Sequence, residues 1–413
     1  MLKRLLCLAA CVAALAGQSF GWGAKGHELS ARVAVKSLPD DMPDFFRKAG
    51  ERLVYLCPEP DRWRTMSTEA LYRLNGPDHY LDLEQWGSEP LPPSRYGYIL
   101  QGMKRGIIKE QKSERGDQTY LVLPGTAPYA VAEMYGKLIT DLRIWRDSAG
   151  APASRPAAEA PGAERAVRQA LEEAIIYLAG VMGHYVTDLG NPLHCTVHHN
   201  GWAAGYPNPN GFATAGPGQR LHSRFESEYV DRAIFEKDIA ARLPAAHRIQ
   251  EPVKEMEQFL RRNQGFVEEL YGLEKKGSFG SGDETPEAQA FTAQRLADAA
   301  GMLRDVWHTA WLVSGEEWLN DRVFVYVRPG RTVLEILREE LASGERLPGL
   351  APERRLQTER TDAGEQVVAI GNRKNGLDRR QWRWYLNGQL AAESPDKHVT
   401  AAGERIEFRF EKP

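Results

Sequence analysis

The 413-residue chain is long enough to bury a sizeable core and to form two domains. At 42% hydrophobic and 26% charged residues, it has the composition of an ordinary globular protein. A formal net charge of −3 excludes a strong general attraction to nucleic acid or to an anionic membrane. A polyanionic substrate would have to be held locally, by a metal and a few side chains.

In chain order, residues 1–21 read as a secretory signal peptide: a basic "MLKR", an apolar "LLCLAACVAALAG", and a small-x-small end before a cut between Gly21 and Trp22. "LAAC", ending at Cys11, offers a rival lipobox-like cut after a very short apolar region. The expected location is secreted or periplasmic. No later segment has the 18 or more apolar residues of a membrane span. Residues 24–37 and 129–147 have helical patterns, and "APASRPAAEAPGAE" (151–164) is a surface connection. The next segment is amphipathic at first and apolar nearly all round from Ala174 to Val186, which predicts a helix buried inside a bundle. Asn191-Pro192 stops it. Residues 196–220 form a long Gly/Asn-rich loop carrying Trp202, Tyr206 and Phe212, expected to wall a cleft. Helices follow at 220–238, about 251–272, and 285–313, with little strand signal between residues 22 and 318. Residues 319–413 change character. "RVFVYVRPG", "QVVAIGN", "QWRWYLNGQ" and "RIEFRFEK" read as strands, and "TVLEILREELASG" as a helix. The expected fold is therefore mostly α: a helical domain (22–318) and a small α+β domain (319–413). Cleavage would leave two cysteines, Cys57 and Cys195, readable as a disulfide pair or as two buried thiols.

"GHYVTDLGNPLHCTVHHN" (183–200) sets ionisable groups at the end of the apolar helix. His184 and Asp188 are one turn apart and share a face. His194 follows the Asn-Pro stop, and His222 and Glu226 repeat the one-turn spacing. Buried polar groups need partners, and nitrogen and carboxylate ligands on facing helices suit zinc. His198 and His199 read as solvent-exposed loop residues, with phosphate contact as the alternative.

These residues carry a resemblance. "WGAKGH" resembles the mature N-terminus of the three-zinc single-strand-specific nucleases, and "GHYVTDLGNPLH" their central metal motif. "LHSRFESEYVD" is similar to the later motif of the related bacterial zinc phospholipase C enzymes, which carry Glu where the nucleases carry Asp. "PDRWR" (60–64) and "DHYLD" (78–82) match the remaining two motifs. The resemblance implies three zinc ions. Asp61, His79, His184 and Asp188 would hold the first, and His194, His222 and Glu226 the second. His27, bridging Asp188, and the α-amine and carbonyl of Trp22 would hold the third. Asp61 would also orient or deprotonate the attacking water. Tyr80 would stack on a base, and Asp82 would read its edge.

The implied activity is that of a zinc-dependent phosphoric ester hydrolase. The leading expectation is a nuclease acting on single-stranded nucleic acid or 3′-nucleotides. The alternatives are a phospholipase C acting on phospholipid and a non-catalytic secreted zinc-binding protein. No stable protein partner is implied. Residues 328–411, through "WRWYLNG" and "GERIEFRF", resemble the transcobalamin-like C-terminal domain, a small β-grasp-like module, and imply an accessory binding or anchoring role.

Overall fold

The computed structural model describes residues 22–65, 68–112, 119–147, 162–282, 284–315, 322–325, 327–342, 355–371 and 373–412. The expected signal peptide, most of the 151–164 connection and the 318/319 boundary lie outside the described residues. The chain divides into two compact units, one ending at Ser314 and the other holding the C-terminal residues.

The first unit is helical. Its elements include α1 (Ala24–Lys36), α2 (Gly50–Leu56), α3 (Glu59–Thr65), α4 (Glu69–Asn75), α5 (Ala127–Asp147), α6 (Gly162–Asp188), α7 (Pro252–Gln264) and α8 (Pro286–Ser314). Helix α6 lies at the centre, packed against α1, α2, α5 and α8. Ile175, Ala179, Val181, Met182 and Val186 are all buried, as an all-round apolar helix requires. Glycines on α6 let α2 approach closely. A Cβ at Gly180 would come within 2.5 Å of Leu56 Cβ, and one at Gly183 within 3.3 Å of Cys57 Sγ. That approach brings the end of α2 onto the face of α6 that carries His184.

Several boundaries differ from the sequence reading. The expected 220–238 helix breaks into Leu221–Ser223, a π-helical turn Arg224–Tyr229, Val230–Ala233 and Glu236–Ala240. The 251–272 helix is α7 followed by a separate Val267–Lys275. A two-stranded antiparallel hairpin, β1 (Lys109–Lys112) and β2 (Thr119–Val122), appears where no strand was expected. All four β1 residues are exposed, so no alternation of apolar and polar side chains announces it. Cys57 and Cys195 are both buried free thiols.

The second unit is small and α+β. Its elements are β3 (Arg322–Val325), α9 (Val333–Ala342), β4 (Leu356–Thr361), β5 (Gly364–Ile370), β6 (Arg373–Lys374), β7 (Gln381–Leu386), β8 (Gln389–Leu390) and β9 (Ile406–Glu411). One antiparallel sheet has the order β3-β9-β7-β8, and β4-β5-β6 form another. Asn387 and Gly388, both at positive φ (51° and 84°), make the two-residue turn between β7 and β8. Trp382 and Trp384 pack in this unit's core with Leu334, Leu337, Ile406 and Phe408. Their indole N–H groups are satisfied by the carbonyls of Arg373 (2.6 Å) and Glu393 (2.9 Å). They are therefore core residues and leave no aromatic face open.

Candidate metal centre

Helix α6 supplies the first pair. Its periodicity puts His184 and Asp188 on one face, and both are fully buried, with Nε2 3.2 Å from Oδ2. The helix ends there because Asn191 caps the following 3-10 turn: its side-chain oxygen accepts the Leu193 amide (3.0 Å), with Pro192 in the first turn. That reversal returns His194 to the same space, where its Nδ1 lies 3.7 Å from Asp188 Oδ2. From α3 comes Asp61, whose Oδ1 is 3.7 Å from His79 Nδ1 and 3.8 Å from His184 Nε2. His79 ends the 3-10 turn Gly76–His79 and sits 3.1 Å from Asp188 Oδ2. Asp78 pins this turn by accepting from Arg95 (2.6 Å) and from the Thr126 hydroxyl (2.7 Å). From α1 comes His27, 3.4 Å from Asp188 Oδ1. His222 and Glu226 complete the set at 2.7 Å. They span the entry into the π-helical turn, a backbone feature frequent at functional sites.

Three groupings thus offer convergent ligand atoms: Asp61, His79 and His184; His27, His184 and Asp188; and His194, His222 and Glu226. Asp188 faces His27 with one oxygen and His79 and His184 with the other, which is the geometry of a bridging carboxylate. Trp22 is buried, and its indole donates to the Thr187 carbonyl (3.0 Å). Its main chain also hydrogen bonds the Asp188 carboxylate. The start of the chain expected after cleavage therefore lies at this cluster.

The hydrogen bonds decide the tautomers. His184 Nδ1 faces the Cys57 carbonyl (3.0 Å) and His194 Nδ1 the His79 carbonyl (2.7 Å). A carbonyl only accepts, so both Nδ1 atoms carry the proton and both Nε2 atoms carry a lone pair. His27 Nδ1 faces the Thr187 hydroxyl (2.6 Å), which already spends its proton on the His184 carbonyl (2.9 Å). Its Nε2 is bare as well. His184 Nε2, His194 Nε2 and His27 Nε2 face the carboxylates of the cluster, whereas His79 offers Nδ1, which lies 3.1 Å from Asp188 Oδ2 and 3.7 Å from Asp61 Oδ1. His27 Nε2, His79 Nε2, Asp188 Oδ1 and Glu226 Oε1 are buried without a hydrogen-bond partner. Ligand histidines with the other nitrogen tied to an oxygen are the usual outer arrangement of a zinc site. The donor set therefore fits divalent metal.

Electrostatics agree. Burial raises Asp61 to about 6, Asp188 to about 7 and Glu226 to about 8. It also lowers His184 to about 4 and His222 to about 3. Without a cation the centre resists both ionised carboxylates and protonated imidazoles. A divalent ion removes the conflict.

A cleft of about 370 Å³ opens onto this centre. His79, His194 and His222 line it, together with Tyr80 and Asp82. Asp82 is pushed up to about 7 by burial, then by Glu84. Arg64 also lines the cleft, its Nη2 3.0 Å from Asp61 Oδ1. Sequence reasoning missed it, although a cation one turn after Asp61 was legible. Of the 196–220 loop, only His199 lines the cleft among the described residues. Trp202 and Phe212 instead pack on Tyr271 in a core cluster, and His198 is buried. The expectation of an aromatic loop wall is corrected accordingly. No helix among the described residues is long and apolar enough to cross a membrane.

No protein-family model and no curated protein matches the chain. Among solved structures it is similar to the alpha-toxin of Clostridium perfringens avian strain SWCP, at 11% identity and a TM-score of 0.36. That match covers 95% of this chain and 83% of the toxin. It is also similar to the alpha toxin of Clostridium absonum, at 11% identity and a TM-score of 0.32, over 96% and 100% of the two chains. At these scores the chemistry rests on the site itself.

Proposed function

We propose that the helical unit is a zinc-dependent phosphoric ester hydrolase acting on phosphodiesters. The observation that carries this reading is the convergence of buried imidazole nitrogens (Nε2 of His27, His184, His194 and His222, Nδ1 of His79) with Asp61, Asp188 and Glu226 beneath an open cleft. Asp61, His79, His184 and Asp188 would hold one ion, His194, His222 and Glu226 a second, and His27, Asp188 and the Trp22 terminus a third. Bound zinc would supply charge neutralisation at the phosphoryl group and acidify a coordinated water. Arg64 presents a guanidinium to the phosphate, the planar donor suited to its oxygens. Asp61, held by the cleft-lining Arg64 and facing His79 and His184, would orient the attacking water.

For the substrate we favour a diester with an apolar portion, as in a phospholipase C. The cleft is also lined by Tyr72, Tyr120, Leu121, Val122 and Leu123. Val122, exposed on β2, carries that apolar character to the surface. The second reading, single-stranded nucleic acid or a 3′-nucleotide, is supported by Tyr80 as a stacking surface and Asp82 as an edge acceptor. The test is a parallel assay of zinc-loaded and chelated protein on phosphatidylcholine, single-stranded DNA, RNA and 3′-AMP. Chelator-sensitive hydrolysis led by phosphatidylcholine is expected. Faster nucleic-acid cleavage moves the assignment to the second reading, and bound zinc with no turnover on any ester refutes hydrolase function. Export of the protein and an accessory binding role for the second unit belong to the same proposal.

A further inference from the structure

His198 and His199 are adjacent in sequence and opposite in role. The His198 ring stacks on Trp202, with centroids 3.9 Å apart and planes 9° from parallel. Its Nδ1 accepts the Ala203 amide (2.9 Å), and its carbonyl accepts the Tyr271 hydroxyl. It is a fixed part of the loop's core. His199 turns the other way. It is exposed, it lines the cleft, and its ring centroid lies 5.9 Å from that of His222. It belongs to none of the three ligand groupings.

The backbone holds His199 in register with the metal-binding side chains. Asn200 accepts the His222 amide through its side-chain oxygen (3.3 Å) and donates to the Gln219 carbonyl (3.0 Å). Gly201 has φ +102°, and a Cβ there would meet the Ala215 backbone at 2.5 Å, so the turn beyond His199 is closely packed. The loop therefore presents one imidazole to the cleft at a set distance from His222, on the side formed by His194 and His222.

We propose that His199 is a substrate-contacting residue, whose ring N–H donates a hydrogen bond to a non-bridging oxygen of the phosphate group bound over His194 and His222. This deepens the phosphoric ester hydrolase reading and rests on it. Arg64 and His199 then both grip the phosphoryl group, while the ligand residues remain committed to metal. A hydrogen bond to a charged oxygen contributes roughly 1.5–3 kcal/mol, about a 10- to 100-fold change in affinity.

The test uses full-length zinc-loaded protein and the variants His199→Ala and His199→Gln, the latter keeping an N–H donor. Zinc content is measured by mass spectrometry, inorganic phosphate affinity by calorimetry, and kcat and KM on bis(p-nitrophenyl) phosphate. His199→Ala is expected to weaken phosphate binding about 10- to 100-fold with zinc content and melting temperature unchanged, and His199→Gln to recover part of it. Unchanged phosphate affinity in His199→Ala overturns the proposal. So does loss of zinc in that variant, which would make His199 a support of the metal site. Weakened phosphate binding in a protein that hydrolyses no ester would leave this contact standing and remove the hydrolase reading. Normal turnover and normal phosphate affinity in His199→Ala would do the reverse.

Discussion

Asp188→Asn should change stability in opposite directions with and without metal. The substitution replaces one oxygen of a fully buried carboxylate with an amide nitrogen and removes its charge. In the wild type Oδ2 lies 3.1 Å from His79 Nδ1 and 3.2 Å from His184 Nε2, and Oδ1 3.4 Å from His27 Nε2. Burial raises this carboxyl from 3.8 to about 7 in the metal-free protein. A carboxyl shifted upward stabilises the fold below its unfolded pKa, and that contribution is lost as pH rises through the folded value. Holding Asp188 ionised at pH 8 therefore costs the metal-free fold roughly 4 kcal/mol. Asn avoids that cost and incurs about 1–3 kcal/mol for whichever amide hydrogen bonds go unmet. The chelated variant should melt at or above the wild-type temperature at pH 8. The zinc-loaded variant should melt several degrees below the zinc-loaded wild type, since about 1 kcal/mol is worth about 2–4 °C in a domain somewhat smaller than this one. Metal analysis should show the loss of at least one ion, and turnover should fall by more than the roughly 10- to 100-fold typical of changes to the residues that support metal ligands. Calorimetric melts in chelator and in zinc decide it. If the variant keeps the wild-type zinc content and the same zinc-dependent gain in melting temperature, Asp188 is not a ligand. If it loses the same stability with and without zinc, its role is in the fold.

Three further outcomes follow from the same geometry. Toward pH 8 unfolded histidines have lost nearly all their protons and folded His184 (about 4) and His222 (about 3) are already neutral, while Asp188 (about 7) and Glu226 (about 8) still shed protons only in the folded chain. Metal-free stability should therefore fall as pH rises toward 8, and zinc-loaded stability should hold; parallel melts at pH 7.0, 7.5 and 8.0 check both. Residues retained ahead of Trp22, such as Gly-Ser, would turn its α-amine, with a pKa of about 7.7–8.0, into an amide with no available lone pair. One fewer zinc and reduced activity are expected, both restored when the extension is cleaved; equal zinc in the two forms would leave Trp22 a packing residue only. Gly125→Ala places a Cβ 2.1 Å from the Tyr80 carbonyl oxygen at φ +114°. It should destabilise by about 3 kcal/mol or more and weaken zinc binding at His79, and a denaturant melt at wild-type stability would contradict this.

The features legible in the sequence are those encoded within one or two helical turns. His184 and Asp188 share a face because the helix period puts them there, and the apolar run around them marks α6 as buried. Asn191-Pro192 announces where the helix stops, and the β7–β8 turn is visible in Asn387-Gly388. The five motifs name the ligand candidates in chain order. Local pattern carries no information on which lone pair points where. That was decided by packing: Gly180 admits α2, the Cys57 carbonyl then takes the His184 Nδ1 proton, and Nε2 is left for metal. The meeting of Asp61 and His79 with His184, more than a hundred positions away, is likewise a product of helix packing. So are the half-buried Arg64 beside Asp61, the π-helical turn between His222 and Glu226, and the two unpaired thiols. His198 and His199 make the point most sharply. Neighbouring identical residues are indistinguishable by composition or period, and only the packing of the loop, with His198 stacked on Trp202 and Asn200 bonded to the His222 amide, separates the buried His198 from the cleft-lining His199.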